Sequence, residues 1–221
     1  MTEIKFCGLS TPETVDAAIK AGGRWLGFVF FPPSPRHLTP ERASGLIAPV
    51  PAGIGKVAVL VDADDALIDA VLAAGIDTLQ LHGRESPERI AAVRARTGRP
   101  VWRAHGVATR ADIAQAIAES RPADRLLLDA KAPREAPLPG GVPVVSPLPG
   151  GNGLAFDWRL MLGVDPPMPW GLSGGLDAGN VGAALAVLKP AFVDVSSGIE
   201  ERLGVKSISK IAAFAEAVRG A

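Results

Sequence analysis

The chain has 221 residues, 48% of them hydrophobic, and its 23 basic residues balance its 23 acidic ones. Zero net charge excludes a whole-protein attraction to nucleic acid or to an anionic membrane surface, so an anionic ligand has to be held by local groups. A single cysteine excludes an internal disulfide, the N-terminus lacks a secretion-signal pattern, and no apolar run approaches the roughly 18 residues of a membrane span; the expectation is a soluble, cytoplasmic protein.

Short β-rich apolar runs alternate with longer alanine-rich stretches of helical period, the pattern of repeated βα units on a parallel sheet. The first run, Ile4–Cys7, ends in K-F-C-G-L-S and puts the lone thiol at the mouth of a strand. A free cysteine there is either a small buried hydrophobe or a group for proton transfer or nucleophilic attack. Thr11-Pro12-Glu13 supplies a helix cap, a first-turn proline and an acid, and Thr39-Pro40-Glu41 and Ser86-Pro87-Glu88 repeat that start. Gly22 and Gly75 follow helical stretches, where left-handed caps are expected. The second run, Trp25–Phe30, leads into F-F-P-P-S-P-R, whose prolines restrict Arg36. That guanidinium either receives a carboxylate with its planar fork or is a solvated surface group.

Lys56–Val61 is the third run and Thr78–Leu81 the fourth, which carries Gln80 and leads to His82. Val101–Ala104 follows with Arg103 and His105, then Arg125–Asp129, which ends on a carboxylate. Residues 130–153 hold six prolines and break the rhythm, as a long loop over a barrel top would. The last two runs, Trp170–Ser173 and Phe192–Val195, lead into L-S-G-G-L and D-V-S-S-G-I-E.

Eight such units predict a closed (β/α)8 TIM barrel, one domain over residues 1–221. The first βα turn lacks G-x-G-x-x-G, which disfavours an open dinucleotide-binding sheet. In a barrel the polar residues at the C-terminal strand ends converge on one mouth: Cys7, Arg36, Gln80, His82, Arg103, His105, Asp129, Ser173 and Asp194. The glycine turns at Gly174-Gly175 and Ser196-Ser197-Gly198 read either as tight connections or, in the two units where barrels hold phosphate, as a phosphate cradle. Asp129 is a desolvated proton donor or a structural partner of Lys131 or Arg134, and His82 a neutral group that orients a neighbour.

K-F-C-G-L-S, G-F-V-F-F-P-P-S-P-R, L-Q-L-H-G, L-L-D, G-G-N-G-L-A-F-D-W, L-S-G-G-L and D-V-S-S-G-I-E, in this order from Lys5 to about Phe214, resemble the phosphoribosylanthranilate isomerase family of tryptophan biosynthesis. The resemblance implies an Amadori rearrangement of N-(5-phosphoribosyl)anthranilate to the 1-deoxyribulose 5-phosphate, with no metal or organic cofactor. It implies Cys7 as general base, Asp129 as general acid and Arg36 as receiver of the anthranilate carboxylate. Gly174, Gly175, Ser196, Ser197 and Gly198 fall at the phosphate site, with Gln80 and His82 beside the substrate. The expected partner is a small phosphorylated substrate, without nucleic acid or membrane, bound by a monomer or homodimer. Lys5 shares the inward parity of Cys7 and is a candidate source of positive potential for the thiol.

Departures from the family pattern are G-G-N-G at Gly150–Gly153 for G-G-T-G, a longer, proline-rich segment before it, and Lys206-Ser207 for K-D. None falls on the acid or the base. Indole-3-glycerol phosphate synthase and the histidine-pathway aminoaldose isomerase are the neighbouring alternatives. The first relies on lysine and glutamate at the barrel mouth and the second on two aspartates, where this chain has Cys7. A non-catalytic phosphate-binding barrel needs neither Cys7 nor Asp129.

Overall fold

A computed structural model describes residues 2–131, 136–137, 143–144 and 157–221. Eight parallel strands close a barrel: β1 (Glu3–Cys7), β2 (Trp25–Phe30), β3 (Gly55–Leu60), β4 (Thr78–Leu81), β5 (Val101–Val107), β6 (Arg125–Ala130), β7 (Trp170–Leu172) and β8 (Phe192–Val195). Their order around the barrel is β1-β8-β7-β6-β5-β4-β3-β2, the (β/α)8 arrangement expected from the eight runs. The fifth strand continues three residues past its expected end at Ala104, because it pairs with β6 as far as Val107 and Ala130.

Helices α1 (Pro12–Lys20), α2 (Pro40–Ile47), α3 (Asp65–Ala73), α4 (Pro87–Thr97) and α5 (Arg110–Glu119) follow the first five strands, and α6 (Val181–Val187) and α7 (Ile208–Arg219) the last two. The three threonine or serine caps act as expected: the side chains of Thr11, Thr39 and Ser86 accept from the amides of Thr14, Arg42 and Arg89. Between β6 and β7 the described residues form a 3-10 turn, Trp158–Met161, and two paired two-residue strands, Ala136–Pro137 and Pro143–Val144. The rest of the loop expected over 130–153, including Gly150–Gly153, lies outside the described residues from residue 132 on. Among the described residues no helix is long and apolar enough to cross a membrane.

Side chains alternate across each strand, so one parity packs on the helices and the other fills the barrel. Phe6, Leu26, Phe28, Leu60, Leu79 and Leu126 belong to the outer core, packed with residues of the helices such as Val15, Ile68 and Phe214. The opposite parity stacks inside in layers. Trp102, Phe192, Val57, Ala104 and Leu127 form the lower cluster with Trp25, and Cys7, Val29 and Val59 the upper one. The register Lys5↔Asp194, Val59↔Gln80 and Gly106↔Asp129 carries that inward face to the C-terminal end, where its residues are polar.

Candidate active site

β1 ends with two inward residues, Lys5 and Cys7, both buried. Lys5 Nζ donates to Asp194 Oδ1 on the adjacent β8 at 2.8 Å, and its charge and the Cys7 thiol act on each other. Burial opposes the charge on Lys5, yet the facing Asp194 and Cys7 hold its pKa above the ordinary value. Burial likewise pushes the Cys7 thiol up; Lys5 and Lys206 pull it down, and Asp194 pushes it further up. The positive potential expected from Lys5 is therefore present but shared with a carboxylate, and the resting group is a thiol.

Gly27 on β2 makes this packing possible. A Cβ there would stand 3.0 Å from Cys7 Sγ and 3.1 Å from Lys5 Nζ, tight enough that one of them would have to shift by a few tenths of an ångström. An isolated glycine inside a strand signals a close approach, which is how W-L-G-F could have been read.

On the far side, β6 brings Asp129 to the mouth three strand positions from β1, by way of β8 and β7. Burial pushes its carboxyl up to about 7, and the nearby Asp194 adds to the rise. The Ala130 amide, at 2.8 Å from Oδ1, and Ser173 oppose it. Lys131, the structural partner considered for Asp129, instead bonds Asp112 at 2.6 Å. His82 Nε2 lies 3.8 Å from Asp129 Oδ2, beyond hydrogen-bond reach. Burial, with Arg103 adding to it, lowers His82 to about 3, so the imidazole is neutral as expected. Gln80 is buried beside it, and Gln80 Oε1 and His82 Nε2 have no partner among the described residues. Such atoms are the ones a polar ligand satisfies.

Arg36 is 3% exposed, which removes the solvated-surface alternative. Its Nε and Nη2 grip Glu200 Oε1 and Oε2 at 2.7 and 2.9 Å, so one edge of the guanidinium is fixed by a carboxylate of the protein. The glycine turns lie side by side above β7 and β8. Gly174 and Gly175 have φ of 88° and 65°, and a Cβ on Gly174 would stand 2.5 Å from the Ala130 amide nitrogen. Ser197–Ile199 form a 3-10 turn, and α6 starts only at Val181, so backbone turns rather than a helix end line this part of the mouth. Arg103 and His105, also expected at the mouth, are used elsewhere. Arg103 ties down the loop after β4 through Leu81 O, Gly83 O and Glu85, and His105 faces Glu119 of α5 at 3.6 Å.

A family profile for N-(5′-phosphoribosyl)anthranilate isomerase matches residues 4–217. The chain belongs to this family. An N-(5′-phosphoribosyl)anthranilate isomerase of Azorhizobium caulinodans is 53% identical over 220 residues, 99% of this chain and 92% of the relative. Among solved structures, phosphoribosyl anthranilate isomerase from Thermotoga maritima superposes with a TM-score of 0.86 at 30% identity over the full length of both chains. Another isomerase structure, in complex with reduced 1-(o-carboxyphenylamino)-1-deoxyribulose 5-phosphate, gives 0.84 at 30% identity, again over all of both chains.

Proposed function

We propose that the mouth isomerises N-(5′-phosphoribosyl)anthranilate by general acid/base catalysis, with Asp129 as the acid and Cys7 as the base. The isomerisation itself, an aminoaldose to an aminoketose in tryptophan biosynthesis, is the activity of the family to which the chain belongs. The observation that carries the acid/base reading is a buried carboxyl that holds its proton up to about pH 7 in the same mouth as the only thiol.

Asp129 gives its proton to the furanose ring oxygen as the C1–O bond breaks, and the nitrogen lone pair forms the C1=N iminium. Cys7 thiolate takes the proton from C2, the C–H electrons form the C1=C2 bond, and the C1=N π pair returns to nitrogen to give an enolamine. Loss of the O2 proton and gain of one at C1 give the ketone. In the free protein the form with a proton on Asp129 and none on Cys7 is a minor one, because burial raises the thiol while Asp129 gives up its proton near pH 7. The iminium brings a positive charge to the thiol and favours the thiolate at the step that needs it. Lys5 supports that thiolate from below while Asp194 holds the ammonium in place.

The remaining groups bind. Arg36, oriented by Glu200, meets the anthranilate carboxylate; the turns at Gly174-Gly175 and Ser196-Ser197-Gly198 take the phosphate. Gln80 and His82 offer their unpartnered atoms to the sugar hydroxyls. The reading requires no cofactor and takes residues 1–221 as one barrel domain.

Turnover is measured by the loss of fluorescence of freshly generated phosphoribosylanthranilate. The parent accelerates it far above the spontaneous rate, and Cys7→Ser and Asp129→Asn each abolish most of that acceleration while retaining phosphate binding. A near-normal rate in either variant removes that residue from its role.

A further inference from the structure

Beside the thiol lies a buried cluster that the acid/base chemistry does not use. Glu200 and Lys206 stand on a short antiparallel hairpin, Glu200–Arg202 with Val205–Lys206, that follows the 3-10 turn after β8. Glu200 accepts from Arg36 through both carboxylate oxygens, and Oε1 also accepts from Lys206 Nζ at 2.8 Å. Lys206 Nζ further donates to the Ser196 carbonyl at 2.8 Å and to Ser196 Oγ at 3.1 Å. The side chains of Arg36, Glu200 and Lys206 are 3%, 5% and 0% exposed.

An ammonium has three protons, and these three acceptors take all of them. Lys206 therefore holds protein groups in place and is not itself a ligand of the substrate. Two cations around one carboxylate leave a buried surplus of one positive charge next to the mouth, which suits a ligand anionic at both ends. The cluster also joins the two places where those ends are read: the arginine after β2 and the serine turn after β8.

We propose that Glu200 and Lys206 are positioning residues that lock Arg36 and the Ser196–Gly198 turn into one unit, so that recognition of the carboxylate and of the phosphate is coupled. The proposal rests on the reading of Arg36 and that turn given above. Lys206 also lies close to the end of β1: its Nζ is 3.3 Å from where a Cβ of Gly8, the residue after Cys7, would stand. The charged groups acting on the thiol are Lys5 on β1, Asp194 on β8 and Lys206 on the hairpin.

The test uses Glu200→Gln, Lys206→Met and, as a control on the underlying reading, Arg36→Met. Steady-state kinetics are combined with inhibition by two one-ended probes, anthranilate and inorganic phosphate. Glu200→Gln, which keeps the shape and loses the charge, raises KM roughly 10- to 100-fold with a smaller fall in kcat, and weakens inhibition by both probes. Lys206→Met does the same and moves the thiolate ultraviolet absorbance of the lone cysteine to higher pH, a change that loss of packing alone does not produce.

Weakening of only one probe, or of neither, by Glu200→Gln overturns the coupling. An unmoved thiol titration in Lys206→Met overturns the influence of Lys206 on the base. Unaltered anthranilate inhibition in Arg36→Met overturns instead the assignment of Arg36 to the carboxylate. Should Lys206→Met not fold, Glu200→Gln decides the coupling by itself.

Discussion

The two ends of the barrel are built on the same alternating strands and treat polar groups in opposite ways. At the floor, Trp25, Trp102 and Phe192 interlock, with ring centroids 4.8 Å apart for both contacts of Trp102. Arg125 lies over all three rings at 5.1 to 5.6 Å and pairs with Glu3, which also accepts from Trp25 Nε1. Polar groups there sit at the rim and are matched. At the mouth, Lys5, Asp194, Asp129, His82 and Gln80 are buried, Asp129 is desolvated enough to keep a proton, and Gln80 Oε1 and His82 Nε2 have no partner among the described residues. One end is packed for stability; the other gives up stability to hold groups ready for a ligand.

Substitutions at the two ends should therefore separate rate from stability. The largest expected effect is on rate: Cys7→Ser or Asp129→Asn lowers kcat by about 10²- to 10⁴-fold, the usual worth of a general acid or base. At the floor, Trp102→Ala costs about 3–5 kcal/mol in denaturant unfolding, through the cavity it leaves, with kcat at low temperature little changed. A loss of rate in Trp102→Ala comparable to that of Asp129→Asn would break the division.

Asp129 gives the converse at the mouth. Its folded pKa of about 7 lies above the unfolded value near 4, so its contribution is fully present below about pH 4 and is lost as pH rises to 7. Asp129→Asn should thus raise stability at pH 8 by roughly 2–4 kcal/mol while removing turnover. Equal unfolding free energies of parent and variant at pH 8 would show that the carboxyl is not strained there.

Activity should carry the same signature. In the parent, kcat/KM rises with pH through about 7, as the doubly protonated pair loses its first proton, and falls only when the thiol titrates above its ordinary range. A profile already flat at pH 6 contradicts that assignment. The smallest effect is at His82: His82→Gln lowers kcat/KM about fivefold, the worth of one hydrogen bond, without moving either limb, because the imidazole is neutral throughout. A limb that shifts would mark His82 as a titrating participant.

Much of this was legible in the chain because it is written locally. The strand ends at Cys7 and Asp129 follow from apolar runs that stop at a polar residue, and the helix starts at Thr11, Thr39 and Ser86 from cap chemistry within four residues. Parity along β1 put Lys5 beneath Cys7, and the neutral state of His82 followed from its place at a buried strand end. Arg103 and His105 show where such reasoning stops. They lie within β5 at the parity opposite to the inward Trp102 and Ala104, so their side chains leave the barrel, and the packed neighbours decide that they bond the loop after β4 and face α5.

The sequence by itself determined the alternation of eight strands with helices and the residue types at the strand ends, because both depend on periods of two and 3.6 and on short caps and turns. Only the tertiary structure decided which charges meet. Lys5 with Asp194 is a contact across 189 residues and Arg36 with Glu200 one across 164, and both arise from barrel closure, which no local pattern encodes. Closure also removes water from the mouth, and that desolvation, rather than the identity of any one side chain, turns Asp129 into a carboxyl still half protonated near pH 7.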